Sequence, residues 1–174
     1  RVRQAVSAHL ARPSDSPQRY KEISALAQVN SAQAQPELIA YDAYIAAGGY
    51  ALAAAVVNGE EPVDDILARM EASGLRGLGG AGFPAARKWR IVRAQAAPRM
   101  MAVNMDEGEP GTFKDRAHLA RDPHRFLEGM LIAAQVVGTE ACYLYLRDEY
   151  HDLRKMLMVE LAALQANPPC PLPH

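Results

Sequence analysis

The chain has 174 residues, 49% of them hydrophobic, which is enough to bury one core with an appended arm. Its net charge of −1 gives no field that attracts nucleic acid, so a nucleic-acid partner is not expected. The two cysteines, Cys142 and Cys170, suit neither a disulfide framework nor a four-thiolate cluster, and Cys142 is expected to be buried and reduced.

Targeting signals are not visible in the sequence. No apolar run approaches the roughly 20 residues that span a bilayer, and no secretory signal is present, so we expect a cytoplasmic protein without direct membrane insertion. Such a protein can still lie beside a membrane complex. The chain opens on Arg1 and ends on a proline-rich stretch, so we expect it to be a piece of something larger.

Residues 1–60 predict an all-helical N-terminal segment. Residues 1–12 indicate a short helix that Pro13 stops, and residues 14–36 are polar and irregular, as in a linker. From Pro36 to Val57 the chain is rich in alanine with helical spacing. Gly48-Gly49 interrupts this stretch, so two helices or a kinked one are expected before a C-cap at Asn58-Gly59.

Helices then alternate with short apolar strands. Helices are predicted over residues 62–73, 84–95, 122–138 and 151–166, with strands over 99–104 and 141–146. This order predicts an α/β fold, a Rossmann-like parallel sheet with helices on both faces. Because only two strands are visible, the sheet is expected to be incomplete within this chain.

A glycine-dense loop, Gly74–Gly82, lies between the first two of these helices. Gly77-x-Gly79-x-x-Gly82 matches the dinucleotide-binding pattern, but a helix and not a strand precedes it, so a standard Rossmann turn is not supported. Glycines let a backbone approach a ligand closely, and the next helix offers free N–H groups and Lys88 to an anion. A phosphate is the expected guest; the alternative is a flexible linker or a close helix crossing.

Two aromatic residues flank the start of the helix after this loop. Phe83 directly follows the last glycine, so stacking on a planar ring at a site mouth and core packing are equally open. Trp89 is expected to pack in the core.

An acidic loop follows the first predicted strand. Asp106, Glu107 and Glu109 stand where open α/β sheets bind ligands, and Asn104 closes the strand with both a donor and an acceptor. The carboxylates can accept hydrogen bonds from sugar or ribityl hydroxyls, or hold a divalent metal; the alternative is a solvated acidic turn. The charge run Lys114–Arg116 is expected to be a salt-bridged surface.

Five ordered blocks resemble one family: Gly74–Pro84, Lys88-Trp89, Asn104–Arg116, Asp122–Ala134 and Tyr145–Tyr150. This family is the flavoprotein subunit shared by respiratory complex I, NAD-linked hydrogenases and NAD-dependent formate dehydrogenases. The resemblance covers about Val63 to Ala166, and Leu146–Tyr150 looks most like the formate dehydrogenase beta subunit. It implies that residues 1–60 are an arm or linker region and 61–174 the N-terminal part of an FMN/NADH-binding domain.

The resemblance also implies a site. Gly77, Gly79 and Gly80 would hold FMN with Lys88 near its phosphate. Asn104, Asp106 and Glu107 would contact the flavin ring and ribityl chain, while Glu109 and Phe83 would lie where NADH or NAD⁺ docks. No side chain is implied to be catalytic, because the flavin carries out the hydride transfer.

The implied partners are the other subunits of a multisubunit reductase, which carry iron–sulfur clusters. A 4Fe–4S cluster is implied for the full-length subunit, ligated by residues outside this chain. The family's second cofactor block is absent too, so this chain is expected to hold FMN weakly or not at all. The alternatives are a non-catalytic fragment that keeps the fold and, less favoured, a phosphate-binding or metal-dependent hydrolase.

Overall fold

A computed structural model describes residues 37–78 and 80–172. The predicted helix over 1–12, the predicted linker over 14–36 and Gly79 lie outside the described residues. The elements in chain order are α1 (Tyr41–Ala46), α2 (Ala51–Val57), α3 (Val63–Ala72), α4 (Ala85–Arg93), β1 (Met100–Met105), α5 (Lys114–Arg121), α6 (Pro123–Val137), β2 (Ala141–Leu146) and α7 (His151–Ala166).

The two strands pair in parallel, as their apolar runs predict. The register runs from Met100 opposite Ala141 to Met105 opposite Leu146. One face of the sheet packs on helices, since Met105 is buried together with Leu119 of α5 and Leu153 of α7. The opposite face carries exposed apolar side chains, namely Met100, Tyr143 and Tyr145. Within the described residues the helices therefore cover one face, where the sequence predicts both.

Helix α6 crosses from β1 to β2 and occupies the centre of the core. Asp122 accepts a hydrogen bond from the backbone N–H of Arg125 at 3.1 Å, and Pro123 takes the first helical position. Gly138 ends the helix in the left-handed region at φ 72°. Both ends confirm the sequence prediction.

Both larger clusters of the core include residues of α6. The first joins Leu127 and Leu131 to Tyr50 before α2 and to Leu157 of α7. The second joins Val136 to α2 and α3, and Trp89 packs against it. Trp89 is therefore a core residue, as predicted, and these contacts fix α3 and α4 on the same scaffold as the sheet.

The N-terminal helices form the predicted interrupted pair. Gly49 lies at the break, where a Cβ atom would stand 2.1 Å from the Tyr44 ring, so only glycine fits. Tyr50 follows with φ 64°, which is uncommon for a residue other than glycine. No helix in the described part of the chain is long and apolar enough to cross a membrane.

Two local expectations require correction. Cys142 is half-buried and not buried, because it stands near the start of the short strand β2; Cys170 is the buried thiol, packed in the first cluster. Within the charged segment Lys114–Arg116, Lys114 forms the expected ion pair with Asp115 at 2.7 Å. The same segment begins helix α5, which the sequence did not predict.

A buried polar chain connects the N-terminal helices to α6 and α7. The Tyr50 hydroxyl lies 2.8 Å from His124 Nδ1, and His124 Nε2 lies 2.8 Å from the Glu160 carboxylate. The same carboxylate accepts the Tyr41 backbone N–H at 3.0 Å. His124 is fully buried and Glu160 is 6% exposed, so each group depends on its partners in this chain.

Replacing His124 with alanine is expected to lower the free energy of unfolding by about 3 kcal/mol, because it leaves Glu160 and Tyr50 buried without their partner. Urea unfolding followed by circular dichroism measures this. Lys155→Ala is the control: it breaks the exposed Lys155–Asp152 pair and should change stability by less than about 0.5 kcal/mol. Equal effects of both variants would contradict a stabilising role for the network.

Candidate cofactor site

The glycine loop is closed at its base by an antiparallel bridge between Arg76 and Pro84. The Gly77 N–H donates to the Phe83 carbonyl at 2.9 Å, and the Ala85 N–H donates to the Leu75 carbonyl at 2.9 Å. The Arg76 guanidinium adds a bond to the Gly82 carbonyl at 3.0 Å. The loop ends are therefore fixed, and the Gly77 amide is used in closing the loop.

Space is open above the middle of this loop. Gly80 and Gly82 have φ values of 95° and 57°, which favour glycine, and a Cβ atom on either would meet none of the described atoms within 4 Å. Leu78 is 92% exposed. Gly79 lies outside the described residues. Among the described atoms, a Cβ on Gly80 would meet none within 4 Å, and one on Gly77 would meet only the Phe83 carbonyl at 3.8 Å.

The loop leads into α4, whose first turn is basic. Pro84 stands at the N-cap, and no side chain in residues 37–78 or 80–172 caps this helix. Lys88 is exposed, and the Arg87 guanidinium stacks 5.7 Å from the centroid of the half-exposed Phe83 ring. The Arg90–Glu71 ion pair at 2.6 Å joins α4 to α3. Positive charge and free helix N–H groups thus accumulate beside the open loop.

The acidic loop begins at the carboxyl end of β1 with Asn104. Its Oδ1 accepts the Asp106 backbone N–H at 2.9 Å, which leaves the amide nitrogen as the group that a ligand can contact. The Glu109 carbonyl accepts the Thr112 N–H at 3.2 Å across Pro110 and Gly111, whose φ of 85° suits a type II turn. The side chains of Asp106 and Glu109 are exposed.

Glu107 lies in the same loop but turns inward and is 5% exposed. Its carboxylate accepts the backbone N–H groups of Asp115 at 2.9 Å and Arg116 at 3.2 Å, together with the Tyr150 hydroxyl at 3.2 Å. Burial by itself would raise the pKa of Glu107, but these three hydrogen bonds, together with the positive charge of Lys114, outweigh it and hold the pKa below its usual value. The carboxylate thus caps the first turn of α5, whereas the sequence placed it beside the flavin with Asp106.

The structure brings the predicted residues together in two groups. Gly77, Gly80, Phe83 and Lys88 belong to the glycine loop and α4, and the four polar residues Asn104, Asp106, Glu107 and Glu109 belong to the end of β1. Within the part of the chain that the structure describes, no hydrogen bond or ion pair joins the two groups.

The turn after β2 also belongs to this region, although sequence reasoning did not assign it a role. The Arg147 guanidinium donates to the Glu107 carbonyl, and Tyr150 contacts the Glu107 carboxylate. The predicted topology could have indicated this role, because the carboxyl ends of neighbouring parallel strands meet at one edge of a sheet.

A cavity of about 600 Å³ lies alongside β1 and borders Asn104. Its charged lining residues are Asp115, Arg121, Asp122 and Arg125. Because both signs are equally represented, the cavity offers an anion no net attraction, in contrast to the glycine loop. No group of three or more His, Cys, Asp or Glu among the described residues is arranged to hold a metal ion.

A parallel sheet with a glycine loop at a helix start and polar groups at a strand end defines a nucleotide-cofactor-binding α/β domain. Residues 70–168 match the Nuo51 FMN-binding domain family, and the chain belongs to that family. The match spans both loops and confirms the resemblance that the sequence blocks indicate.

Two curated relatives are components of NADH-quinone oxidoreductases. The chain is 49% identical over 109 residues to the F 2 subunit of the Rhizobium meliloti (strain 1021) enzyme, covering 62% of this chain and 25% of that protein. It is 40% identical over 116 residues to the F subunit of the Aquifex aeolicus (strain VF5) enzyme, covering 67% of this chain and 27% of that protein. The chain therefore spans about a quarter of the length of these relatives.

Solved structures of an NAD⁺-reducing [NiFe]-hydrogenase share the fold. The H₂-reduced state matches at 45% identity with a TM-score of 0.55, over 67% of this chain and 21% of that chain. The air-oxidized state matches at 34% identity with a TM-score of 0.57, over 87% of this chain and 29% of that chain. These likenesses confirm the predicted α/β class.

The lowered pKa of Glu107 predicts a specific pH dependence of stability. A carboxyl group whose pKa is lowered on folding stabilises the fold above its unfolded pKa, and this contribution is lost as pH falls through the folded value. The free energy of unfolding should therefore fall on acidification, and Glu107→Gln should lose less over the same range. Urea titrations at pH 6 and at about pH 3.5 test this. Glu60→Gln, at an exposed site, should follow the unmodified chain; a Glu107→Gln curve parallel to both would refute the prediction.

Proposed function

We propose that the chain is the N-terminal part of the FMN/NADH-binding domain of a diaphorase subunit. Such a subunit transfers a hydride between NADH or NAD⁺ and FMN and passes electrons to the iron–sulfur clusters of a multisubunit oxidoreductase. The observation that carries the proposal is the match of residues 70–168 to an FMN-binding family, because it spans both candidate loops. The names of the relatives, which are NADH-quinone oxidoreductase components, support NADH as the donor.

The residues present fit an FMN phosphate. Gly80 provides a backbone surface that no described side chain fills, and the first turn of α4 provides uncapped N–H groups together with Lys88. When bound, FMN would supply the hydride and electron chemistry, while the chain supplies position and electrostatics. We assign Gly77 and Gly79 to the same cradle, with the Gly77 amide shaping the loop and not binding the ligand directly.

The acidic loop fits the other end of a flavin nucleotide. The Asn104 amide nitrogen would donate to a ring edge, and the exposed Asp106 carboxylate would accept from ribityl hydroxyls. Glu109 and Phe83, both accessible, are assigned to NADH. Glu109 would accept from a sugar hydroxyl, and Phe83 would stack on a planar ring of the dinucleotide.

The parent enzyme is a finer proposal. The segment Leu146–Tyr150 supports an NAD-dependent formate dehydrogenase, whereas the similar proteins support complex I or an NAD-linked hydrogenase. Three assays of the purified native complex decide among these parent enzymes: NAD⁺ reduction by formate, NAD⁺ reduction by hydrogen, and NADH oxidation by quinone. We propose that the partners are the subunits of that complex that carry iron–sulfur clusters, and that the protein is cytoplasmic. We also propose that residues 1–60 form an arm or linker region and residues 61–174 the N-terminal part of the FMN/NADH-binding domain.

The phosphate assignment predicts the effect of Lys88→Ala in the full-length subunit. The affinity for FMN should fall about tenfold, which corresponds to the loss of one charge-assisted hydrogen bond. Fluorescence titration with FMN measures this, and Lys155→Ala on the exposed side of α7 is the matched control. A correctly folded full-length subunit that takes up no FMN would refute the function and favour the non-catalytic alternative.

The dinucleotide assignment predicts that Glu109→Ala weakens reduction by NADH more than FMN retention. The kcat/KM for NADH with an artificial electron acceptor should fall about tenfold, while FMN affinity changes less than about threefold. Glu60→Ala should change neither. Loss of FMN before any loss of NADH reactivity would show that Glu109 belongs to the flavin side.

A further inference from the structure

Three separate elements meet at Glu107: the end of β1, the first turn of α5 and the turn that follows β2. The Glu107 carboxylate accepts both the Asp115 and Arg116 backbone N–H groups, and its main-chain carbonyl accepts from the Arg147 guanidinium. One residue therefore uses its side chain and its backbone to tie the acidic loop to its two neighbours.

These contacts turn the carboxylate away from any ligand at the loop surface. Glu107 is 5% exposed and receives three donors, two at the positive end of α5 and one from the Tyr150 hydroxyl at 3.2 Å. The residues on either side of Glu107 are exposed, namely Asp106 before it and Gly108 and Glu109 after it. The side chains in this loop therefore divide into one inward anchor and two outward carboxylates.

The turn after β2 holds the anchor from the other side. Arg147 is oriented by Glu149, which its Nε contacts at 2.9 Å. The guanidinium carbons of Arg116 and Arg147 stand 5.8 Å and 5.9 Å from the centroid of the Tyr150 ring. The α5 N-terminus and the Tyr150 hydroxyl thus hold the buried Glu107 carboxylate, while Arg147 holds its main-chain carbonyl, and this arrangement resists movement of the loop.

We infer that Glu107 is a positioning residue: with Arg147 and Tyr150 it fixes the acidic loop so that Asp106 and Glu109 meet the flavin and the dinucleotide in the correct place. The effect on flavin and dinucleotide binding rests on the proposed function, whereas the fixing of the acidic loop by Glu107 does not. Displacement by about 1 Å of a loop that carries ligand-binding groups is enough to weaken their contacts with the ligand, even when the moved residue touches no substrate.

The anchor is tested without any cofactor by hydrogen–deuterium exchange of the full-length subunit. In Glu107→Gln the backbone amides of Asp115 and Arg116 should exchange at least about tenfold faster, because the neutral amide keeps one acceptor oxygen and places an NH₂ donor where the other oxygen stood. Tyr150→Phe keeps the carboxylate and both amide bonds, so exchange should rise only about threefold. Asp148→Asn, an exposed position in the same turn, should leave exchange unchanged. Unchanged exchange in Glu107→Gln would overturn the anchor.

The consequence is tested by steady-state kinetics of the same variants loaded with FMN. Glu107→Gln should raise KM for NADH about tenfold and Tyr150→Phe about threefold, with kcat within about twofold and FMN retained. Faster exchange with unchanged KM would overturn the positioning role, and loss of FMN ahead of any KM change would show direct flavin contact instead. If the unmodified subunit is not reduced by NADH, the proposed function and the positioning role fail together, and the exchange data still decide the anchor.

Discussion

The parallel pairing of β1 with β2 is the constraint on which the candidate site depends. Parallel strands cannot be joined by a short turn, so the chain must cross over between them, and α6 provides that crossover. The same pairing brings the ends of both strands to one edge of the sheet. The acidic loop after β1 and the Arg147–Tyr150 turn after β2 therefore contact each other, although they are distant in sequence.

The crossover helix also carries the glycine loop. Helices α3 and α4 flank that loop, and both pack on α6 through the cluster that contains Leu67, Val136 and Trp89. The Arg93 guanidinium reinforces this contact by donating to the Val136 carbonyl at 2.5 Å. The His124–Glu160 pair ties the other side of α6 to α7 and α1. Two loops without a hydrogen bond between their described residues are thus held on one packed scaffold, which is the arrangement that a rigid cofactor site requires.

Sequence reasoning succeeded wherever the decisive contacts are local. Asp122, Pro123 and Gly138 mark the ends of α6 because a side-chain cap, a fixed φ and a left-handed residue each act within one turn. It failed at α5, whose amides are satisfied by Glu107 and not by a neighbouring cap residue. The family resemblance implies a flavin contact for both Glu107 and Asp106, and the composition of the loop does not show that the Glu107 side chain faces inward while Asp106 is exposed. The hydrogen bond from the Gly77 amide to the Phe83 carbonyl likewise depends on the folded loop and could not be predicted from the sequence.

The charges of the two loops orient the proposed ligand. A flavin mononucleotide carries its negative charge at the phosphate, and NADH carries its own at the diphosphate. Exposed Asp106 and Glu109 repel those groups but accept hydrogen bonds from sugar and ribityl hydroxyls. Lys88 and the uncapped start of α4 attract phosphate. The Glu107 carboxylate is buried against the α5 amides and the Tyr150 hydroxyl, so the exposed carboxylates of the acidic loop are those of Asp106 and Glu109. The charges therefore favour a ligand whose phosphate lies at the start of α4 and whose sugar or ribityl hydroxyls lie at the acidic loop.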